Sequence, residues 1–256
     1  MLALEIEPVC CLRDNYAWLA YDRSDGLCAV VDPSEAEPVR AALKARGLTL
    51  THILNTHHHP DHVGGNQALK AEFGATIIGP GKDSARIPGI DVGVFEGETY
   101  AVGGHAAKVF EIPAHTRGHI AFWFEADGAV FTGDTLFAMG CGRLFEGDPP
   151  TMWASLSKLM KLPDATRIYC GHEYTEANGR FALTVEPGNA DLNARMVEVK
   201  ATRAVGRPTL PSLMGLEKKT NPFLRPNSPE IRRSLGLESA SDVEVFAETR
   251  RRKDAF

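Results

Sequence analysis

Along the first 170 residues, short apolar runs bounded by Gly, Pro, Asn or Asp alternate with stretches in which apolar positions recur every three or four residues. LEIEP (4–8), YAWLAYD (16–22) and CAVVD (28–32) have the first pattern and predict strands, with RSDG (23–26) turning the second into the third. Ser34 is placed to cap a helix reaching Arg46, with Val39, Ala42 and Leu43 on one face and Gly47 as its stop. HILNT (52–56) predicts a strand, and NQALKAEFG (66–74) a helix ended by Gly74. ATIIGP (75–80), AKVFEIP (107–113), IAFWFEAD (120–127) and AVFTGD (129–134) continue the strands, the last two joined across Asp127 and Gly128. TMWASLSKLMKLPD (151–164) is amphipathic and helical, and TRIYCGHEY (166–174) predicts a final strand.

Beyond Tyr174 the patterning changes. Leu192, Met196 and Val199 share one face of a helix over 189–205. Ser228 with Pro229 opens a short helix that stops at Gly236. Ser241 with Glu244 forms a capping box ahead of a last helix carrying Val243, Phe246 and Ala247. The expected organisation is a mixed α/β domain over residues 1–173 and a smaller all-helical domain over residues 174–256.

Composition narrows the class. The 256 residues are 43% hydrophobic and 24% charged, ordinary for a globular protein, and no apolar run approaches the roughly 20 residues of a membrane span. A net charge of −5 provides no overall basic field for nucleic acid or an anionic membrane. The opening MLALEIEPVCCLRDN carries acids where a secretion signal has a basic start and a long apolar stretch. Cys10, Cys11, Cys28, Cys141 and Cys170 have no framework spacing. A cytoplasmic protein with buried, reduced thiols is expected, acting as a monomer.

The chemistry is concentrated in THHHPDH (56–62). Imidazole and carboxylate suit zinc, and iron and manganese accept them too. His57 and His59, two apart on an extended backbone, point to one side and can grip one ion together. Asp61 and His62 follow where Pro60 turns the chain, and His58 points away. Three further candidates end predicted strands: His115, Asp134 and His172. The seven divide sensibly: His57, His59 and His115 for one ion, Asp61, His62 and His172 for a second, with Asp134 bridging because a carboxylate has two oxygens to share. His52, His58, His105 and His119 are left over.

THHHPDH, PAHTRGH, FTGDTLF and CGHEYT, in this order, resemble the metallo-β-lactamase superfamily. That resemblance implies an αββα sandwich with a two-metal site at one edge. GCGRLFEG (140–147), TNPFLR (220–225) and the terminal RRRKD (250–254) are similar to the hydroxyacylglutathione hydrolase (glyoxalase II) family, over essentially the whole chain. The resemblance implies hydrolysis of S-D-lactoylglutathione, an S-2-hydroxyacylglutathione, to D-lactate and glutathione, the second step of methylglyoxal detoxification. It implies two divalent ions, zinc first among them, with Asp61 and Asp134 serving a metal-bridging hydroxide. It also implies that Arg250 and Lys253 bind the glutathione glycine carboxylate, and that Arg143, Phe145, His172 and Tyr174 meet the substrate. The eukaryotic pattern has lysine and tyrosine at 143 and 145. Arg143 keeps the charge there, whereas Phe145 loses a hydroxyl.

A two-ion site lowers the pKa of a water toward about 7 and stabilises a developing oxyanion. A thiolate with an unperturbed pKa near 8.5 leaves without a dedicated acid. The nearest alternative is an iron-dependent persulfide dioxygenase or another hydrolase of the same superfamily. The full ligand set and the RRRKD helix argue against the dioxygenase. A structural metal site is disfavoured because such sites are usually closed and cysteine-rich.

Overall fold

The computed structural model describes residues 3–256, which form two compact units: residues 3–111 with 116–133, and residues 112–115 with 134–256. In the first unit, β1 (Glu5–Cys11), β2 (Asn15–Asp22), β3 (Leu27–Val31), β4 (His52–Leu54), β5 (Thr76–Pro80) and β6 (Val92–Val94) form a six-stranded sheet in chain order. β1 to β3 pair antiparallel, with Trp18 opposite Val31, and β3 to β6 pair parallel. Parallel neighbours need crossovers. α1 (Ala36–Arg46) supplies the first, and α2 (Pro60–Val63) with α3 (Asn66–Phe73) the second. Val39, Leu43, Val63 and Leu69 from these helices pack on Val30, Ile53 and Ile77 of the sheet. β2 is buried at every position, so both of its faces are covered. That is why YAWLAYD has no polar alternation.

A second, antiparallel group in this unit has the order β10 (Ala129–Gly133), β9 (Ile120–Phe124), β8 (His105–Glu111), β7 (Thr99–Val102). It is tied to the first sheet at polar points. The Ile120 amide donates to the Thr56 carbonyl at 2.9 Å, and His105 Nε2 meets Asp22 Oδ2 at 3.3 Å.

The second unit opens with residues 112–115. It continues through the hairpin of β11 (Leu136–Phe137) and β12 (Gly140–Cys141), α4 (Pro149–Leu159) and β13 (Arg167–Cys170). Then follow α5 (Thr175–Val185), α6 (Ala190–Ala204), β14 (Ser212–Leu213), α7 (Met214–Thr220), α8 (Pro229–Leu235) and α9 (Asp242–Asp254). The capping box at Ser241 and Glu244 is present, as are the left-handed stops at Gly47, Gly74 and Gly236.

Several local expectations are corrected. Ser34 does not cap α1; it is buried, and the cap position falls on Glu35, whose carboxylate accepts the Leu12 amide at 2.7 Å instead. α4 starts two residues before TMWASL, where Asp148 accepts the Thr151 amide ahead of Pro149. α5 was not expected, because Gly179 interrupts its pattern; a side chain there would collide with Met196 and Met139. β6, β7, α7 and β14 are too short to leave a period. Cys10 is exposed while Cys11 is buried, since successive residues of β1 face opposite ways.

Candidate metal centre

Each unit carries a set of donors. In the first, the chain leaves β4 and bends at Thr56 and His57 on its way to His59; Pro60 then occupies the first turn of α2, a position where its missing N–H costs nothing. His57 Nε2 and His59 Nδ1 converge to 3.2 Å. Asp61 Oδ2 stands 3.8 Å from His62 Nε2. Donors held about 2.1 Å from one tetrahedral ion lie about 3.4 Å apart, so the spacing fits shared coordination. Asn15 Nδ2 donates to both the carbonyl and Oδ2 of Asp61, at 3.1 Å each, and holds that carboxylate in place. His58 turns away to Arg86 Nη1 at 3.1 Å and Asp83 Oδ2 at 3.5 Å, as expected.

Beneath this loop sits Asp32, at the end of β3 in the left-handed region (φ 51°) and buried. Its carboxylate accepts the Thr56 amide at 2.8 Å and the Thr56 hydroxyl at 2.7 Å, and meets His62 Nδ1 at 3.1 Å. A proton on His62 Nδ1 bonded to Asp32 leaves Nε2 with a lone pair for a metal. Thr56 Oγ1 also lies 3.0 Å from His57 Nδ1 and gives His57 the same orientation. The His119 ring stacks on His57, centroids 4.6 Å apart. Gly133 has φ 48°, and a side chain there would run into Thr56 and His119.

In the second unit, Asp134 Oδ2 lies 3.4 Å from His115 Nε2 and 3.3 Å from His172 Nε2. One carboxylate oxygen thus stands between two imidazole nitrogens at the spacing of shared coordination. His115 Nδ1 donates to the Arg143 carbonyl at 2.9 Å, which frees Nε2. The hairpin bends back closely at Gly142, where a Cβ would overlap the Asp134 carbonyl. Cys141 is no ligand candidate: burial pushes its thiol up to about 11. In the first unit Asp32, His57 and His62 bring ligand atoms all within 4.8 Å of one another, a His/Asp cluster able to hold a metal ion without thiolate.

The six residues expected to meet substrate all lie in the second unit. Tyr174 stacks on His172 (4.6 Å, 4°), and Phe137 meets both rings edge-on. Phe145 lies 5.2 Å from the His115 ring and is 61% exposed, a large apolar surface beside a donor. Arg250 lies over Phe223 and Lys253 over Phe181, and those two rings stack at 6.0 Å, so both cations rest on one aromatic platform. Arg250 is buried and bonds Asp254 Oδ1 at 2.9 Å; Arg143, largely exposed, reaches the same oxygen at 3.9 Å. Burial, together with Arg250, Arg180 and Arg143 nearby, brings the Lys253 pKa down to about 8. Arg251 and Arg252 instead pair with Glu248.

Residues 13–172 match the family model of the metallo-β-lactamase superfamily, and residues 173–256 match that of the hydroxyacylglutathione hydrolase C-terminus. The chain is 56% identical over 253 residues to a hydroxyacylglutathione hydrolase of Methylococcus capsulatus, covering 99% of both chains. It is 54% identical over 256 residues to one of Rhodospirillum rubrum, covering 100% of both. The chain belongs to the hydroxyacylglutathione hydrolase family. Its fold is the αββα metallo-β-lactamase sandwich followed by a C-terminal helical domain. Among solved structures, ETHE1 from Myxococcus xanthus shares the fold (TM-score 0.67, 24% identity, 98% of this chain and 100% of that one). So does TTHA1623 in a di-iron-bound form (TM-score 0.58, 26% identity, 88% of this chain and 100% of that one).

Sequence reasoning missed the residues that orient donors. Asp32 carries the signal that revealed Asp134, an acid closing an apolar run, but nothing in the sequence says which loop it meets. Asn15 gives no signal at all. No helix among the described residues is long and apolar enough to cross a membrane.

Proposed function

We propose that this protein hydrolyses the thioester of S-2-hydroxyacylglutathiones such as S-D-lactoylglutathione, releasing the 2-hydroxy acid and glutathione. The observation that carries the reading is the Asp134 oxygen between His115 Nε2 and His172 Nε2 at 3.4 and 3.3 Å, in a chain 56% identical over nearly its full length to a protein of that name. In the first unit His57, His59, Asp61 and His62 would supply donors to divalent ions, and in the second His115, Asp134 and His172 would. Bound there, two such ions supply an activated water at neutral pH and charge stabilisation at the thioester carbonyl. Zinc fits the nitrogen and oxygen donors best, with iron or manganese as substitutes according to supply.

The chain's own residues do the rest. Asp32 and the Arg143 carbonyl keep His62 and His115 in the tautomer that presents Nε2. Asn15 keeps Asp61 turned toward its role. Lys253 and Arg250 attract the glycine carboxylate, Arg143 adds a cation, and Tyr174 meets the peptide part of glutathione. Phe145 shields the ground beside His115 from water without offering a hydrogen bond. In this reading residues 1–173 are the catalytic domain and 174–256 the glutathione-recognition domain of a cytoplasmic monomer. The match of residues 173–256 to the hydrolase C-terminal model favours this activity over an iron-dependent persulfide dioxygenase.

The test pairs elemental analysis of the purified protein with loss of thioester absorbance. About two ions per chain and chelator-sensitive hydrolysis are expected. One iron, no hydrolysis, and oxygen uptake with glutathione persulfide would reverse the assignment.

A further inference from the structure

We infer that the C-terminal helices also set the shape of the β11–β12 hairpin, and through it the positions of Asp134 and His115. The inference rests on the reading of those two residues as metal ligands. The hairpin starts two residues after Asp134, and Arg143, whose carbonyl orients His115, follows it by two. Its strands are two residues each, too short to hold a shape alone, and Met139 at its tip has φ 54°.

Side chains from elsewhere in the same unit answer its backbone one group after another. Asn221 Nδ2 donates to the Phe137 carbonyl at 3.1 Å and the Gly140 carbonyl at 3.0 Å. Asn178 Nδ2, from α5, donates to the Ala138 carbonyl at 3.1 Å. Glu217 Oε2, from α7, accepts the Met139 amide at 2.7 Å, and Arg250 Nη1, from α9, donates to the Cys141 carbonyl at 2.8 Å. All four side chains are buried, so none of these bonds has water as a ready substitute.

The braces are themselves braced. Glu217 Oε1 takes bonds from Arg195 Nη2 and Ser212 Oγ, both at 2.5 Å, and Arg195 Nη1 reaches Thr220 Oγ1. Asn221 Oδ1 accepts the Phe223 amide at 3.0 Å, which fixes which end of its amide faces the hairpin. Buried polar bonds that support one another in this way favour one geometry. At the hairpin's base, the Gly142 amide donates to the Thr135 carbonyl at 3.2 Å, beside Asp134. Asn178, Glu217 and Asn221 are positioning residues: they touch no reacting atom and act through the backbone they hold.

The test compares Asn221→Ala, Asn178→Ala and a control, Ile231→Ala, which removes core volume from α8 outside this network. Zinc affinity is read by chelator competition, hairpin order by amide hydrogen exchange over residues 136–142, and global stability by thermal melting. Asn221→Ala is expected to speed exchange in 136–142 and to weaken zinc binding by about 10–100-fold, the loss typical when support for a ligand is removed. Asn178→Ala, which loses one bond, shows a smaller loss in the same direction and carries the test if Asn221→Ala does not fold. Ile231→Ala melts earlier but binds zinc as wild type does. Unchanged exchange in the two asparagine variants, or fast exchange with wild-type zinc affinity, would overturn the inference. A wild-type chain that binds no zinc would instead overturn the ligand reading, before any substitution is made.

Discussion

Replacing Asp32 by Asn tests how the first unit prepares its donors. The change keeps size and shape, but one carboxylate oxygen becomes an NH2. Oδ1 accepts the Thr56 amide, while Oδ2 takes the Thr56 hydroxyl and His62 Nδ1. If the Asn amide points its nitrogen toward His62, the proton on Nδ1 meets another donor and must move to Nε2, the atom needed for metal. If the amide flips, its nitrogen faces the Thr56 N–H instead. Either way a buried donor meets a donor. In the first orientation the Thr56 hydroxyl can rotate to accept, and the loss falls on the contact to His62. One hydrogen bond to a charged group contributes about 1.5–3 kcal/mol, or roughly 10–150-fold in an equilibrium constant. Zinc affinity of Asp32→Asn should therefore fall by about 10–100-fold, in line with other supports of metal-bound histidine. Chelator competition measures it, with circular dichroism to confirm folding. A folded Asp32→Asn protein that binds two zinc ions with wild-type affinity would refute the argument.

Asp134→Ala removes the oxygen shared by His115 and His172; metal content should drop below two per chain and turnover by more than about 100-fold, exceeding the effect of a supporting residue. Normal occupancy and turnover would end the bridging assignment. Lys253, with its pKa near 8, should lose its charge as pH rises past that value, so KM for the glutathione thioester climbs above about pH 8 and Lys253→Met flattens the climb. Phe145→Tyr restores a hydroxyl and should lower KM by about 2–10-fold, one hydrogen bond's worth, with kcat unchanged. His105 is buried, which disfavours its charge, but bonds from Asp127 and Asp22 outweigh burial and raise its pKa above 6.5. The stability it contributes is complete below pH 6.5 and is lost as pH rises through the folded value. The melting-temperature difference between wild type and His105→Gln should shrink across that range.

The histidine loop was legible as a set of candidate donors because its residue types have one common use, and because Pro60 marks where the backbone turns. His115, Asp134 and His172 were legible as polar residues ending apolar runs, where a sheet stops and a crevice can begin. Asp32 ends such a run too, yet a one-dimensional pattern does not say that its carboxylate meets Thr56 and His62. Asn221 belongs to TNPFLR, whose likeness to the family was visible while its purpose was not; that purpose depends on carbonyls 81 and 84 positions away. α5 was hidden by Gly179, present for the sake of Met139 and Met196, a packing demand that overrides helix propensity. Long amphipathic segments announce themselves; two-residue strands and buried polar braces do not.

The chain passes between its two units at three points, after residues 111, 115 and 133. Two of the proposed ligands sit at these passages: His115 is the last residue before one, and Asp134 the first after another. No single break in the gene delivers either unit whole, so neither can be lost, duplicated or fused elsewhere by one simple truncation. A circularly permuted gene opened within 116–133 would leave the segment 112–115 near one new terminus, a direct way to ask whether this threading is required for folding.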